Sequence, residues 1–249
     1  AVDRHSFWVL RDPTVLASIR AAFQRESIYI ADGHHRYETG LVYQSERRAA
    51  GSGGRVGANA FDYIPMTLTA FYDPGLFISP VYRVVRGYKL PDMSQVEERL
   101  RQYFAIDFVP IDAALARGAP VGEMALMAVV GLRDGVIAEL RARPGVDLGS
   151  FVPGQHSTAY RMFNVSVLNH VVMARALGID PDGDGVSYSP DLDAVVRSVR
   201  CGEAQVAFLL APAHPRLVKE ISDQMERMPR KSTYFYPKVP TGLVAYDLS

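Results

Sequence analysis

The sequence predicts an α/β (α+β) protein, a mixed sheet packed with helices, and three observations carry that expectation. Apolar residues make up 48% of the 249 positions, enough to bury a core in one domain or in two closely packed ones. Toward the C-terminus a helical pattern over 191–200, a continuous apolar run over 204–210 and a second helical pattern over 215–227 follow one another, the alternation of layered α/β packing. Near the N-terminus the apolar run 28–31 turns through Gly33 into Arg36, Tyr37, Glu38, Leu41, Val42 and Tyr43 at helical spacing. That is a strand feeding a helix through a glycine turn.

The remaining elements follow in chain order. Phe7 to Leu10 read as a strand, and Asp12 followed by Pro13 opens a helix to about residue 23. The helix after Gly33 ends at Arg47 and Arg48, which suit the negative end of its dipole. The glycine-rich segment 51–59 lacks the lysine and Ser or Thr of a P-loop. Residues 63–71 alternate, with Ile64, Met66, Leu68 and Ala70 on one face, and with the apolar stretch 76–85 they predict a pair of strands. A helix is expected from Pro91 to about residue 104, then an edge strand, a short helix and an apolar strand over 109–131. Arg133, Asp134 and Gly135 turn that strand into a hairpin with 136–141.

The proline- and glycine-rich loop 144–155 suggests regions 1–143 and 144–249, with a single domain left open. Val165, Leu168, Val171, Val172 and Leu177 predict a helix carrying His170. Asp180, Asp182 and Asp184 are spaced as in a calcium loop, but no bidentate glutamate closes it, so the segment reads as a turn. The tail 228–238 reads as an aromatic edge strand and 241–248 as a closing strand.

The chemistry concentrates at the turn. A helix that starts just past Gly33 leaves its first amides unpaired at the positive end of its dipole, a ready anion site and above all a phosphate site. Arg36 can grip phosphate with two donors, and His34 and His35 can donate hydrogen bonds. Asp32 repels phosphate unless it holds Mg²⁺ against the phosphate oxygens or takes a proton from an attacking hydroxyl. The alternative is structural: Asp32 caps the helix, and His34 and His35 are solvated first-turn residues. In the tail, Lys231, Ser232 and Thr233, with Tyr234, Tyr236 and Lys238, could line an anionic pocket, or could be a solvated strand edge.

Composition excludes other classes. Lys plus Arg equals Asp plus Glu at 27 each, so no basic field holds DNA or an anionic membrane. The single cysteine, Cys201, forms no internal disulfide, and no signal peptide or long apolar span is present. A reducing, cytoplasmic setting is expected.

The segment Ala31-Asp32-Gly33-His34-His35-Arg36 resembles the nucleotide-phosphate loop of the ParB/sulfiredoxin superfamily, in the form found in SerK-type free serine kinases. With Tyr37, Glu38 and Thr39, the block 164–168 and the block 228–238, it also resembles an uncharacterised bacterial and archaeal family, the domain of unknown function "ten-fifteen", described as SerK-like. This resemblance implies an N-terminal region ahead of Ala1, so a fragment is expected. It also implies histidine where Tyr82 precedes Arg83. It implies ADP or ATP as co-substrate, Mg²⁺, and a small hydroxyl acceptor such as free L-serine. Asp32, His34 and His35 would then be catalytic, Asp32 would hold the metal, and Gly33, His34, His35, Arg36, Glu38, Lys231, Ser232 and Thr233 would bind nucleotide. A nucleotide-binding regulatory module without transfer is the alternative. A DNA-binding partition factor is disfavoured by the zero net charge, and a sulfiredoxin-like reductase by the absence of cysteine from the loop.

Overall fold

The computed structural model of the chain describes residues 4–51, 55, 57–117, 121–240 and 242–248. The chain divides into two compact units, the first ending at Asp62 and the second beginning at Tyr63.

In the first unit the Asp12 side chain accepts from the amides of Thr14 and Val15, and Pro13 takes the first helical position, so α1 (Pro13–Phe23) starts where the sequence predicts. Gly33, in the left-handed conformation at φ 84°, opens α2 (His34–Ala49). The strands expected at 7–10 and 28–31 do not form. Both segments lack a ladder partner among the described residues and are largely exposed. Aromatic and β-branched residues settle into a strand only beside another strand, and the described residues of this unit supply none.

Neither helix buries a residue. The far end of α2 is held by Asp62, which accepts from Arg48 Nη2 at 2.6 Å, Gln44 Nε2 at 2.9 Å and the amides of Gly57 and Asn59. The Arg48 guanidinium foremost, with these other donors, holds the Asp62 carboxyl far below the usual carboxylate range. Arg47 lies 6.0 Å from the centre of the Phe61 ring. Both arginines therefore serve the C-terminal end of α2.

The second unit is built on one six-stranded sheet. Its strands are β2 (Tyr82–Val85), β3 (Phe104–Pro110), β4 (Met127–Val130), β5 (Val136–Ala142), β6 (Val186–Ser189) and β7 (Val206–Leu210), in the spatial order β3-β5-β4-β7-β2-β6. Every pairing is antiparallel, where the sequence suggested a mixed sheet. Strands from both sides of residues 143–144 share this sheet.

β1 (Phe77–Ser79) does not join the sheet. It pairs instead with β8 (Tyr234–Tyr236), which brings the C-terminal tail onto the start of this unit. The single apolar stretch 76–85 thus splits around Pro80, which has no N–H for a ladder. Residues 63–71 form no strand, and neither do 242–248.

Helices cover both faces of the sheet. On one face Val85, Met127, Leu140 and Phe208 pack with Leu100 of α3 (Met93–Arg101), with Ile221 of α8 (Pro215–Asp223), and with Leu168 and Val172. The last two lie on a π-helical stretch, Leu168–Leu177, that continues α5 (Thr158–Met162) and α6 (Asn164–Val167). On the other face Val84, Val130, Ile137 and Leu209 pack with Ala114 of α4 (Ile111–Ala116) and Val195 of α7 (Leu192–Arg200). β7 is buried along its whole length between these layers.

Candidate phosphate-binding turn

Several of the predicted site residues gather at the start of α2. Gly33 is the N-cap, and a glycine has no side chain with which to cap the helix. A β-carbon on Gly33 would lie 2.8 Å from Arg36 Nη2, 3.0 Å from Nε and 3.1 Å from Cζ. The Arg36 guanidinium is folded back over the glycine; a β-carbon there would push aside the end of a flexible side chain, whereas the positive φ itself favours a residue without a side chain.

Arg36 Nη2 also stands 3.4 Å from Asp32 Oδ2, and His35 Nδ1 stands 3.5 Å from Glu38 Oε2. No acidic residue lies in the first turn, which carries His34, His35 and Arg36. A cation there opposes the helix dipole by about 0.3–1 kcal/mol, so this arrangement is unfavourable for α2 alone and favourable once an anion is bound. The turn is open: the His35 side chain is 98% exposed and that of Arg36 74%.

The second unit carries the other predicted contacts. Lys231 has a left-handed backbone at φ 56°. It is exposed, and among the described residues its ammonium makes no hydrogen bond or ion pair. Ser232 is buried, and its hydroxyl donates to the Pro229 carbonyl at 2.5 Å, so it closes the turn instead of facing outward. Thr233 is half-buried just before β8. Arg230 Nη1 stands 3.9 Å from Asp182 Oδ1, in the exposed turn that was spaced as a calcium loop. Asp32 to Glu38 lie in the first unit, and Lys231 to Thr233 in the second.

Sequence reasoning gave Arg83 no role. It is 1% exposed, donating from Nη1 to the Val81 carbonyl at 2.5 Å and from Nη2 to the carbonyls of Lys231 at 3.1 Å and Arg230 at 3.4 Å. Burial pulls its pKa down to about 10. The available signal was strand alternation: Arg83 falls on the same face as Val85, where a core residue belongs.

Two other motifs resolve differently. In the block 164–168, Asn164 Nδ2 donates to the Ala211 carbonyl at 3.1 Å, while Asn164 Oδ1 and Ser166 Oγ are enclosed without a partner among the described residues. His170 is half-buried, and burial, then His156, pull it below the usual histidine value.

Among the described residues no group of three or more His, Cys, Asp or Glu side chains is placed to hold a metal ion. Asp32, a single carboxylate, fits a Mg²⁺ delivered by phosphates, since that ion takes one or two carboxylates and keeps its waters. Among the same residues no helix is long and apolar enough to cross a membrane.

The model of the family described as "Protein of unknown function (DUF1015)" matches residues 2–166. A search of the curated proteins finds no match. Among solved structures, the chain is similar to a conserved hypothetical protein from Pyrococcus furiosus, at 15% identity over 83% of this chain and 68% of that one, with a TM-score of 0.38. It is also similar to a free serine kinase in complex with AMP, at 15% identity over 89% and 78%, with a TM-score of 0.42. A variant of a free serine kinase in complex with ADP gives 15% identity over 89% and 78%, with a TM-score of 0.40.

Proposed function

This chain belongs to that family of unknown function, and we propose that it is a small-molecule phosphotransferase of the SerK kind, holding nucleotide phosphates at the Asp32–Arg36 turn. One observation carries the reading. A helix opens on a left-handed glycine, with His34, His35 and Arg36 where acidic residues would stabilise it.

The amides of the turn and the Arg36 guanidinium take the phosphate oxygens, and His34 and His35 add hydrogen bonds. Glu38 orients His35, to which it is already close. The nucleotide is ADP or ATP; Asp32 would hold a Mg²⁺ bound with it, an ion that would neutralise phosphate charge, or would receive the proton of the acceptor hydroxyl. In the transfer the bond from the terminal phosphorus to its bridging oxygen breaks, and a bond from that phosphorus to the acceptor oxygen forms. The nucleotide leaves one phosphate shorter. Such a reaction depends mainly on positioning and charge neutralisation, which this turn is built to supply. Free L-serine is the acceptor we propose, on the sequence resemblance.

The proximity of Arg36 to Asp32 supports a second reading, a nucleotide-binding module without transfer, because the carboxylate stands 3.4 Å from a guanidinium that already engages it. Titration with Mg-ADP and Mg-ATP, followed by product analysis with L-serine, separates the two. Asp32→Ala is expected to abolish phosphoserine formation while nucleotide still binds, and Arg36→Ala to weaken binding by about tenfold, the cost of one charge-assisted contact. Unchanged turnover in both variants defeats the kinase reading, and binding without product selects the module.

A further inference from the structure

We propose that the second unit holds a separate site for a small carboxylate, in a pocket between the edge strand β6 and helix α7, with Arg86 as its cation. The site lies wholly within that unit and does not depend on the function proposed above for the turn at Gly33.

The pocket has a volume of about 190 Å³. At roughly 30 Å³ for each water-sized group, it accommodates a molecule of about six non-hydrogen atoms. Its walls follow from the topology. β6 ends the strand order of the sheet and pairs only with β2 among the described residues. Ser187 stands directly opposite Val84 in that pairing, so Ser187 and Ser189, two residues apart, share the Val84 face, which α7 covers. On α7 the positions that line the pocket are Ala194, Val195 and Ser198. Ser198 is buried, and its hydroxyl donates to the Val195 carbonyl at 2.8 Å. Three serines and an alanine thus stand where larger apolar residues would close the layer, and the space they leave is the pocket.

Arg86 lines the same pocket and supplies its charge. Nε donates to the Glu203 carbonyl at 3.2 Å and Nη1 to the Ser187 hydroxyl at 2.6 Å. These bonds leave donors of the guanidinium fork uncommitted, and no carboxylate pairs with it among the described residues. Held at two points, the side chain has little freedom left to lose when an anion binds. Ser189 Oγ accepts from the Asp191 amide at 3.1 Å and keeps its O–H to donate. It stands two residues along β6 from Ser187, roughly 7 Å away. A carboxylate on Arg86, a hydroxyl at Ser189 and a short carbon body over Val84, Ala194 and Val195 match all three surfaces, so a short hydroxycarboxylate is the ligand class. Phosphate has no apolar body and leaves that floor unmatched.

Amide chemical shifts of the full chain during titration with 3-hydroxypropionate test this. Saturable shifts are expected at Ser187, Ser189, Ala194 and Ser198. Arg86→Gln is expected to weaken binding about tenfold, the loss of one contact to a charged group. Ser198→Val, which fills the pocket, is expected to abolish it; should that variant not fold, Ala194→Met fills the same space from one helical turn away and is expected to do the same. 1,3-Propanediol, which has the size without the charge, and inorganic phosphate, which has the charge without the carbon body, are each expected to bind at least about tenfold more weakly. Equal binding of either probe overturns the ligand class. Absence of saturable shifts, shifts that Arg86→Gln leaves unchanged, or binding that survives both filling substitutions overturns the site. A purely structural Arg86 would lower the melting temperature of Arg86→Gln and leave 3-hydroxypropionate binding as in the parent.

Discussion

At the scale of single residues, Gly33 is where backbone and chemistry meet most closely. Its φ of 84° costs any L-residue, and Arg36 already fills the space a β-carbon would need. Gly33→Ala is therefore expected to lower stability by about 1–2 kcal/mol and to displace the Arg36 guanidinium. Denaturant unfolding reads the first effect and titration with Mg-ADP the second. A neutral outcome in both would remove the glycine from the site. Glu226 supports a separate prediction. It accepts from the Ser157 amide at 2.9 Å, from the Ser157 hydroxyl and from His156 Nδ1 at 3.0 Å. Burial pushes its pKa up, but these donors outweigh it and leave the pKa below the usual value of 4.5. Its contribution to stability is thus complete above pH 4.5 and lost as pH falls through the lower folded value. Glu226→Gln is expected to lower the melting temperature at neutral pH and to remove this acid-dependent loss. A parallel shift of the whole pH profile would contradict that assignment.

At the scale of elements, what the sequence disclosed depended on whether the partner of each element was local. The β4–β5 hairpin was legible because Arg133, Asp134 and Gly135 join its two apolar runs directly, and the Asp12-Pro13 start of α1 is a signal complete in itself. The strands expected at 7–10, 28–31 and 63–71 had the right residues but pair with no strand among the described residues, which no local pattern reveals. β1 and β2 read as one strand because their partners, β8 on one side and β6 and β7 on the other, come from far along the chain. The glycine turn was legible in outline, whereas the folding of Arg36 over Gly33 and the hold of Arg83 on residues 230–231 arise only in three dimensions. The burial pattern implies a sharp contrast between elements. Leu140 in β5 is fully buried, and Leu140→Ala is expected to cost about 2–5 kcal/mol. Val42 on α2 is 57% exposed, and Val42→Ala is expected to stay within about 0.5 kcal/mol. Denaturant unfolding of both variants checks this, and equal costs would contradict the placement of the core.

At the scale of the whole molecule, the division of labour follows from where apolar area is buried. The second unit holds both apolar layers around one sheet, while the helices of the first bury no residue and present the turn at Gly33 openly. The balanced charge of the chain leaves recognition to local features such as this turn, since there is no long-range field to draw in a polyanion. The central claim is that the first turn of α2 receives a phosphate group, and amide chemical shifts during titration with Mg-ADP test it most directly. The account predicts saturable shifts at the amides of Gly33, His34, His35 and Arg36, abolished in Arg36→Ala. Saturable binding that leaves these four amides unmoved, or no binding at all, would contradict it.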